Sequence, residues 1–414
     1  MITNLKKYLP YLLPLLLIFS RSVADITIVL ISILFIYHSY KKLGWGWVKE
    51  KWFCFALIFW VYCLTINSAF SINPTESLAY SLFFIRWPIF AMALAYWILT
   101  DIKSLKKFLL AMTLVLIFII FDTWWQFFFE QDIFGFEKYM PNRLTGPFKG
   151  NPHVGAWIAK LILLPPLFLI LYDKLKLQEH QNCLTYSFFI ISTILFLSVA
   201  ITGERMALLL SLASIFILFI GLALNKIFLL KKISLLLLFS FFAILIFSYS
   251  FPHITERAYL ATIEKILNWR TSDYGLVWQS AYDVWVQSPL FGAGLHKYRE
   301  ACENLGIYGS SYLNAIGGGV CFHPHNISIQ LLSETGLVGF ILFYAMVVVL
   351  AFTSLKIYFT SKLWLSFALV FNIIFTCFLP IASSTSFFAN KYGAIVWLLV
   401  GVMLATNRLF KKEN

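Results

Sequence analysis

Residues 321–340 read CFHPHNISIQLLSETGLVGF. In a chain that is 60% hydrophobic and 19% aromatic, an apolar run here takes on two imidazoles, His323 and His325, and an amide, Asn326. Gln330 and Glu334 follow one helical turn apart, then Gly336 and Gly339. The apolar pattern continues far enough to span a bilayer, so the stretch marks the start of a membrane helix. Ionisable groups at such a boundary point to function. Pro324 suits the first turn of a helix, because its missing N–H has no intrahelical partner there, and the spacing then puts His325 in the first turn as well. The positive end of the helix dipole disfavours a charged imidazole, so the expected ring is neutral and able to accept a proton. On these residues alone, a histidine that merely caps the helix is the alternative.

The rest of the chain reads as an all-α polytopic membrane protein. Charged residues make up only 12%, the mean hydropathy is +0.82, and no stretch is left over for a soluble catalytic domain. Twelve apolar runs predict about 12 transmembrane helices, at roughly 8–20, 24–40, 52–70, 78–100, 108–130, 153–172, 183–201, 204–223, 233–251, 326–354, 363–380 and 387–407. The first, with Pro10 and Pro14 behind Lys6 and Lys7, resembles a signal-peptide core, but no small-residue cleavage site stands out and a retained helix is expected. Three regions follow: residues 1–251 with nine helices and a short outer segment at 131–152, a long outer loop at 252–325, and three last helices at 326–414.

Basic residues set the orientation. With both termini cytoplasmic, nineteen of the 32 Lys and Arg fall in cytoplasmic segments and six in the short outer ones, a strong positive-inside bias. The net charge of +13 is therefore a mark of topology, and nucleic acid is not an expected partner. Arg143, Arg205 and His325 all reach the outer face, before or at the start of the sixth, eighth and tenth helices. Asn151 and Pro152 look like an N-cap and first-turn pair for the sixth, and Thr202 for the cap of the eighth. Converging helix ends and arginines would make an anion site, with pyrophosphate its natural guest. Arg86 and Lys160, buried in helices four and six, are either substrate-binding groups or structural partners of Asp25 or Asp122.

Within the long loop, Leu260, Ile263, Ile266 and Leu267 share one helical face and Trp278, Ala281, Tyr282 and Trp285 another, predicting two amphipathic helices that lie on the bilayer or cover the site. Cys302 and Cys321 both lie in this loop, where an oxidising compartment favours a disulfide pinning the stretch that leads into His325. Cys54, Cys63, Cys183 and Cys377 are read as small apolar residues. The chain has no Asp-x-Asp, no H-E-x-x-H, no Walker loop and no serine elbow, so no nucleotide, metal or other cofactor is expected. His323 and His325 lack a third metal ligand at a diagnostic spacing.

His325-Asn326, nine residues, Gly336, two residues and Gly339 match without gaps the motif of the bacterial O-antigen ligase and polymerase superfamily, which this chain resembles. Arg205 with Leu209 fits a second, weaker ligase motif. Arg-Leu-Thr-Gly-Pro-Phe at 143–148 followed by Asn-Pro-His is similar to the segment that supplies a phosphate-binding arginine, here Arg143. SPLFGAGL at 288–295 is similar to the superfamily's Pro-Leu-x-Gly-x-Gly strip, and 379–401 to its last helix pair. The resemblance implies a GT-C-like fold in the bacterial inner membrane with a periplasmic active site. It implies metal-independent inverting transfer of a glycan from undecaprenyl pyrophosphate to the lipid A-core, with His325, Arg205 and Arg143 catalytic and Asn326, His323, Arg86, Lys160 and Gln330 binding substrate. An O-antigen polymerase, a protein O-oligosaccharyltransferase and a lipid-linked glycan flippase are the competing expectations.

Overall fold

The computed structural model describes residues 2–172, 181–224, 267–306, 321–361, 364–382 and 385–412, with scattered positions between 225 and 266. Among them the chain is helical, and the only extended pairings are two isolated bridges, Gln131 with Glu137 and Met140 with Arg143. In order come α1 (Ile2–Phe19), α2 (Arg21–His38), α3 (Lys51–Tyr62), α4 (Pro74–Phe84), α5 (Arg86–Ala93), α6 (Ile102–Phe129), α7 (Val154–Leu161) and α8 (Leu164–Tyr172). Then follow α9 (Gln181–Ala200), α10 (Arg205–Leu224), α11 (Asp273–Gln287), α12 (Tyr298–Asn304), α13 (Ile327–Ser361), α14 (Trp364–Phe378) and α15 (Asn390–Lys412).

Six of the described helices are long and apolar enough to cross a membrane, and five shorter apolar ones accompany them. They coincide with eleven of the twelve apolar runs; the ninth, 233–251, lies largely outside the described residues, as does most of the helix expected around Leu260. The α6 helix shows why the pattern belongs in lipid. It exposes Leu110, Leu114, Ile117, Phe121, Trp125 and Phe128, one continuous stripe, and buries Asp122, Thr123 and Gln126. That is the reverse of a helix facing water. Its polar residues serve the fold: Gln126 Nε2 donates to Thr145 Oγ1 at 2.9 Å and Gln126 Oε1 accepts from the N–H of Thr145 and Gly146, both 2.9 Å. Asp122 accepts from Ile133 N–H at 2.9 Å. These bonds tie the 131–152 segment down onto the helix end.

The α13 helix packs against α3, α14 and α11, and it is broken once. Gly336 takes φ +65° and ψ −176°, a conformation only glycine adopts without strain. Such a break frees backbone groups that lipid cannot satisfy. The 288–295 strip supplies the partners. Pro289 and Leu290 carbonyls accept from Leu337 and Val338 N–H, at 2.9 and 3.3 Å, and the carbonyls of Ser333 and Glu334 accept from Ala293 and Gly294 N–H, both at 2.9 Å. Approach this close leaves no room for a Cβ on Gly336 or Gly292, and the Ser71 side chain leaves none on Gly294. Asn67 on the other side donates to the Phe291 and Glu334 carbonyls at 2.7 and 2.9 Å, and Tyr62 to that of Thr335 at 2.7 Å. Gly336 is thus the seam where the 288–295 strip is sewn into a membrane helix.

Around the strip there is a second small core, in which Val277, Ala281 and Val284 of α11 meet Tyr298, Ala301 and Cys302 of α12. Of the four residues expected to share an amphipathic face, Ala281 is buried and Tyr282 exposed, so the buried stripe is rotated toward Val277 and Val284. The structure joins Cys302 to Cys321 in a disulfide, fixing α12 to the residues just before His325. Because Gly336 has both a positive φ and no space for a side chain, Gly336→Ala is expected to destabilise the protein by about 2 kcal/mol or more. Gly135→Ala, also at positive φ but with nothing within 4 Å, should cost only about 1 kcal/mol. Thermal unfolding of the two variants in detergent checks the difference, and equal losses would contradict it.

Candidate active site

The stretch that opens α13 differs from its expected geometry. The helix begins at Ile327, not at Pro324, because the Asn326 side chain starts it: Asn326 Oδ1 accepts from Ser328 N–H at 2.9 Å and Ile329 N–H at 3.3 Å. An asparagine is a stronger helix start than the proline two residues earlier. His325 is left outside the helix with φ +51°, a strained conformation for a residue with a Cβ. Its ring packs 3.8 Å from that of His323 and edge-on to Tyr274 of α11 at 5.8 Å.

Three further groups from other parts of the chain reach the same place. His153 immediately precedes α7, and Arg143, in the 131–152 segment, donates to the Pro152 carbonyl at 3.4 Å. Burial, above all, holds the His325 imidazole well below its usual 6.5, and the Arg143 charge and the nearby His323 and His153 rings further disfavour a proton there. His153 is pushed down to about 3 by burial first and then by Lys391, Arg143, His323 and Lys160. Both rings are therefore uncharged at neutral pH. The expected neutrality of His325 stands, but desolvation and neighbouring cations cause it rather than the helix dipole.

Glu204 is the acid of the group. Its carboxylate accepts from Gly155 N–H at 2.7 Å and Ala156 N–H at 3.2 Å, so the free helix end expected at α7 is occupied by a side chain. Burial raises Glu204 to about 7, against the pull of Arg143, the two N–H groups and Lys160. Asn151 does not cap α7 but donates to the Phe148 carbonyl at 3.0 Å. Thr202 Oγ1 accepts from Glu204 N–H at 3.3 Å and so helps set the turn into α10. Arg205 follows as the first residue of α10, and is not among the charges that act on either histidine.

The remaining candidates divide. Arg86 is bound into the fold: its guanidinium meets Asp25 at 3.1 Å, the Phe83 carbonyl at 2.7 Å and Asn390 Oδ1 at 2.9 Å. Asp25, not Asp122, is its partner. Gln330 donates to Glu334 and to Ser386, at 3.0 and 2.7 Å, and accepts from Phe387 N–H at 3.0 Å, which spends its amide on holding α13 to the segment before α15. Lys160 is 3% exposed and lines a narrow cavity with His153, Lys391 and Tyr392. Sequence reasoning passed over His153, Glu204, Tyr274 and Lys391. The signal for the first two was present, since each is an ionisable residue at a membrane boundary beside one already singled out.

Fold and site together define a membrane protein, helical throughout its described residues, with a half-buried cluster of histidine, arginine and carboxylate where several helices begin. Residues 188–344 match the family model described as O-Antigen ligase, and this span carries Arg205, His325 and both motif glycines. Arg143 and His153 lie outside the matched span and join it only through the fold. No curated protein sequence matches the chain.

With both imidazoles depressed below 6.5, neither ring gains a proton as the pH falls from 7.5 to about 5.5. Ring 15N resonances of His153 and His325, assigned by their loss in His153→Gln and His325→Gln, should keep neutral shifts over that range. Protonation of either ring near pH 6.5 would contradict the buried geometry.

Proposed function

We propose that this protein is an O-antigen ligase of the GT-C type in the bacterial inner membrane. It transfers a glycan, with inversion and without a metal, from undecaprenyl pyrophosphate to a hydroxyl of the lipid A-core on the periplasmic side. The observation that carries the reading is the His325 ring: uncharged, within the field of Arg143, and part of the motif that the matched family segment contains.

A sugar pyrophosphate is already activated. The acceptor oxygen attacks the anomeric carbon, its proton passes to His325, and the bond to the phosphate oxygen breaks with its electron pair going to the departing pyrophosphate. A neutral histidine serving as general base contributes roughly two to four orders of magnitude. Arg143 and Arg205 oppose the charge that grows on the leaving group, and preorganised cations of this kind are worth about 3 kcal/mol each. Asn326 fixes the turn that presents His325, and His323 crowds it and keeps it uncharged.

His325→Ala is expected to abolish ligation, a loss of roughly two orders of magnitude or more, with protein level and topology unchanged. Core-only lipopolysaccharide, with lipid-linked polymer accumulating outside, is the predicted phenotype. Wild-type surface O-antigen would sink the reading, and single-repeat capping of the core would reassign the protein to polymerisation.

A further inference from the structure

The cavity beside His153 contains two lysines that the transfer mechanism leaves unused. Lys160 of α7 and Lys391 of α15 line it with His153, Trp157, Thr385 and Tyr392. Lys160 has one long hydrogen bond, 3.4 Å to the Ala156 carbonyl of its own helix, and stands 4.9 Å from the Tyr392 ring centre. The Lys391 ammonium lies 3.9 Å from the Phe148 ring centre and 5.2 Å from that of Trp157. Among the described residues neither lysine forms an ion pair. His153 Nδ1 is buried without a hydrogen-bond partner. The carboxylate whose field reaches Lys160, Glu204, is bonded to the backbone of α7 and does not line the cavity.

Aromatic faces return only part of the hydration that a buried ammonium gives up. Lys160, buried, and Lys391, half-buried, with the unpartnered His153 Nδ1 in one cavity and no acid among the described residues of its wall, make a site short of negative charge. A group with several anionic oxygens complements it. His153 feels Arg143 on one side of the problem and Lys391 and Lys160 on the other, so the cavity adjoins the His325 cluster.

We propose that this cavity is the second half of a diphosphate site, in which Lys160, Lys391 and His153 hold one phosphoryl group of the donor while Arg143 meets the other. The proposal rests on the transfer reading above and extends it to residues that neither the motif nor the matched family segment contains. The cavity is narrow as it stands, and filling it requires Lys391 to lift its flexible stem off the rings.

Purified protein in detergent tests this with inorganic phosphate, inorganic pyrophosphate and a polyprenyl pyrophosphate as ligands. Wild type should gain thermal stability from the two diphosphates and much less from phosphate. Lys391→Met should lose that gain and raise the donor KM about tenfold, with kcat changed less, and Lys391→Arg should restore most of both. Lys160→Met, measured the same way, carries the test if Lys391→Met does not fold. Normal glycan transfer by Lys391→Met and Lys160→Met with wild-type donor KM and stabilisation would overturn the subsite while leaving the transferase reading intact. Phosphate stabilising as strongly as pyrophosphate would also overturn it. Wild-type protein that neither binds a diphosphate nor transfers glycan would remove both.

Discussion

A backbone amide inside a bilayer must find a partner within the protein, and the break in α13 at Gly336 is where that requirement is most severe. A short strip of irregular chain, 288–295, meets it by bonding to both sides of the break. The arrangement succeeds only because glycines on both partners let backbone touch backbone. It does more than close a defect. The same strip continues into α12, whose disulfide to Cys321 fixes the approach to His325, so the position of the imidazole depends on how the loop is stitched into the helix.

The second constraint is the cost of charge away from water. Histidines 153 and 325 are kept neutral because each shares its surroundings with cations and little solvent. A base is useful only in its unprotonated form, and a cation is most useful where its field is unscreened. Burial serves both ends at once. Glu204 balances part of the positive charge while its carboxylate occupies the first turn of α7.

Much of this was legible in the residues. Apolar runs located the described helices, because a segment that must cross lipid carries its own signature in length and hydropathy. The string from His325 to Gly339 marked the candidate site, and it lies within the matched span 188–344. Less visible were the competitions that decide local geometry. Pro324 and Asn326 both promise a helix start, and the asparagine prevails because its side chain bonds two free N–H groups, leaving His325 in a left-handed turn. Gln330 reads as a substrate contact until its three partners are seen, and Arg86 as a buried cation until Asp25 is found beside it. Partners distant in sequence leave no local pattern. His153 and Glu204 showed in the sequence as ionisable residues at a membrane boundary, but their partners did not: Glu204 meets the Gly155 and Ala156 N–H groups only in the fold.

The central claim is that an uncharged imidazole and a diphosphate-binding cation cluster act together on one glycosyl bond. The most direct measurement is the anomeric configuration of the product when purified protein, with metal chelated, joins a defined polyprenyl-pyrophosphate glycan to a defined acceptor. A single displacement assisted by His325 predicts an inverted linkage, read by NMR. A retained linkage, or no product until metal is restored, would contradict it.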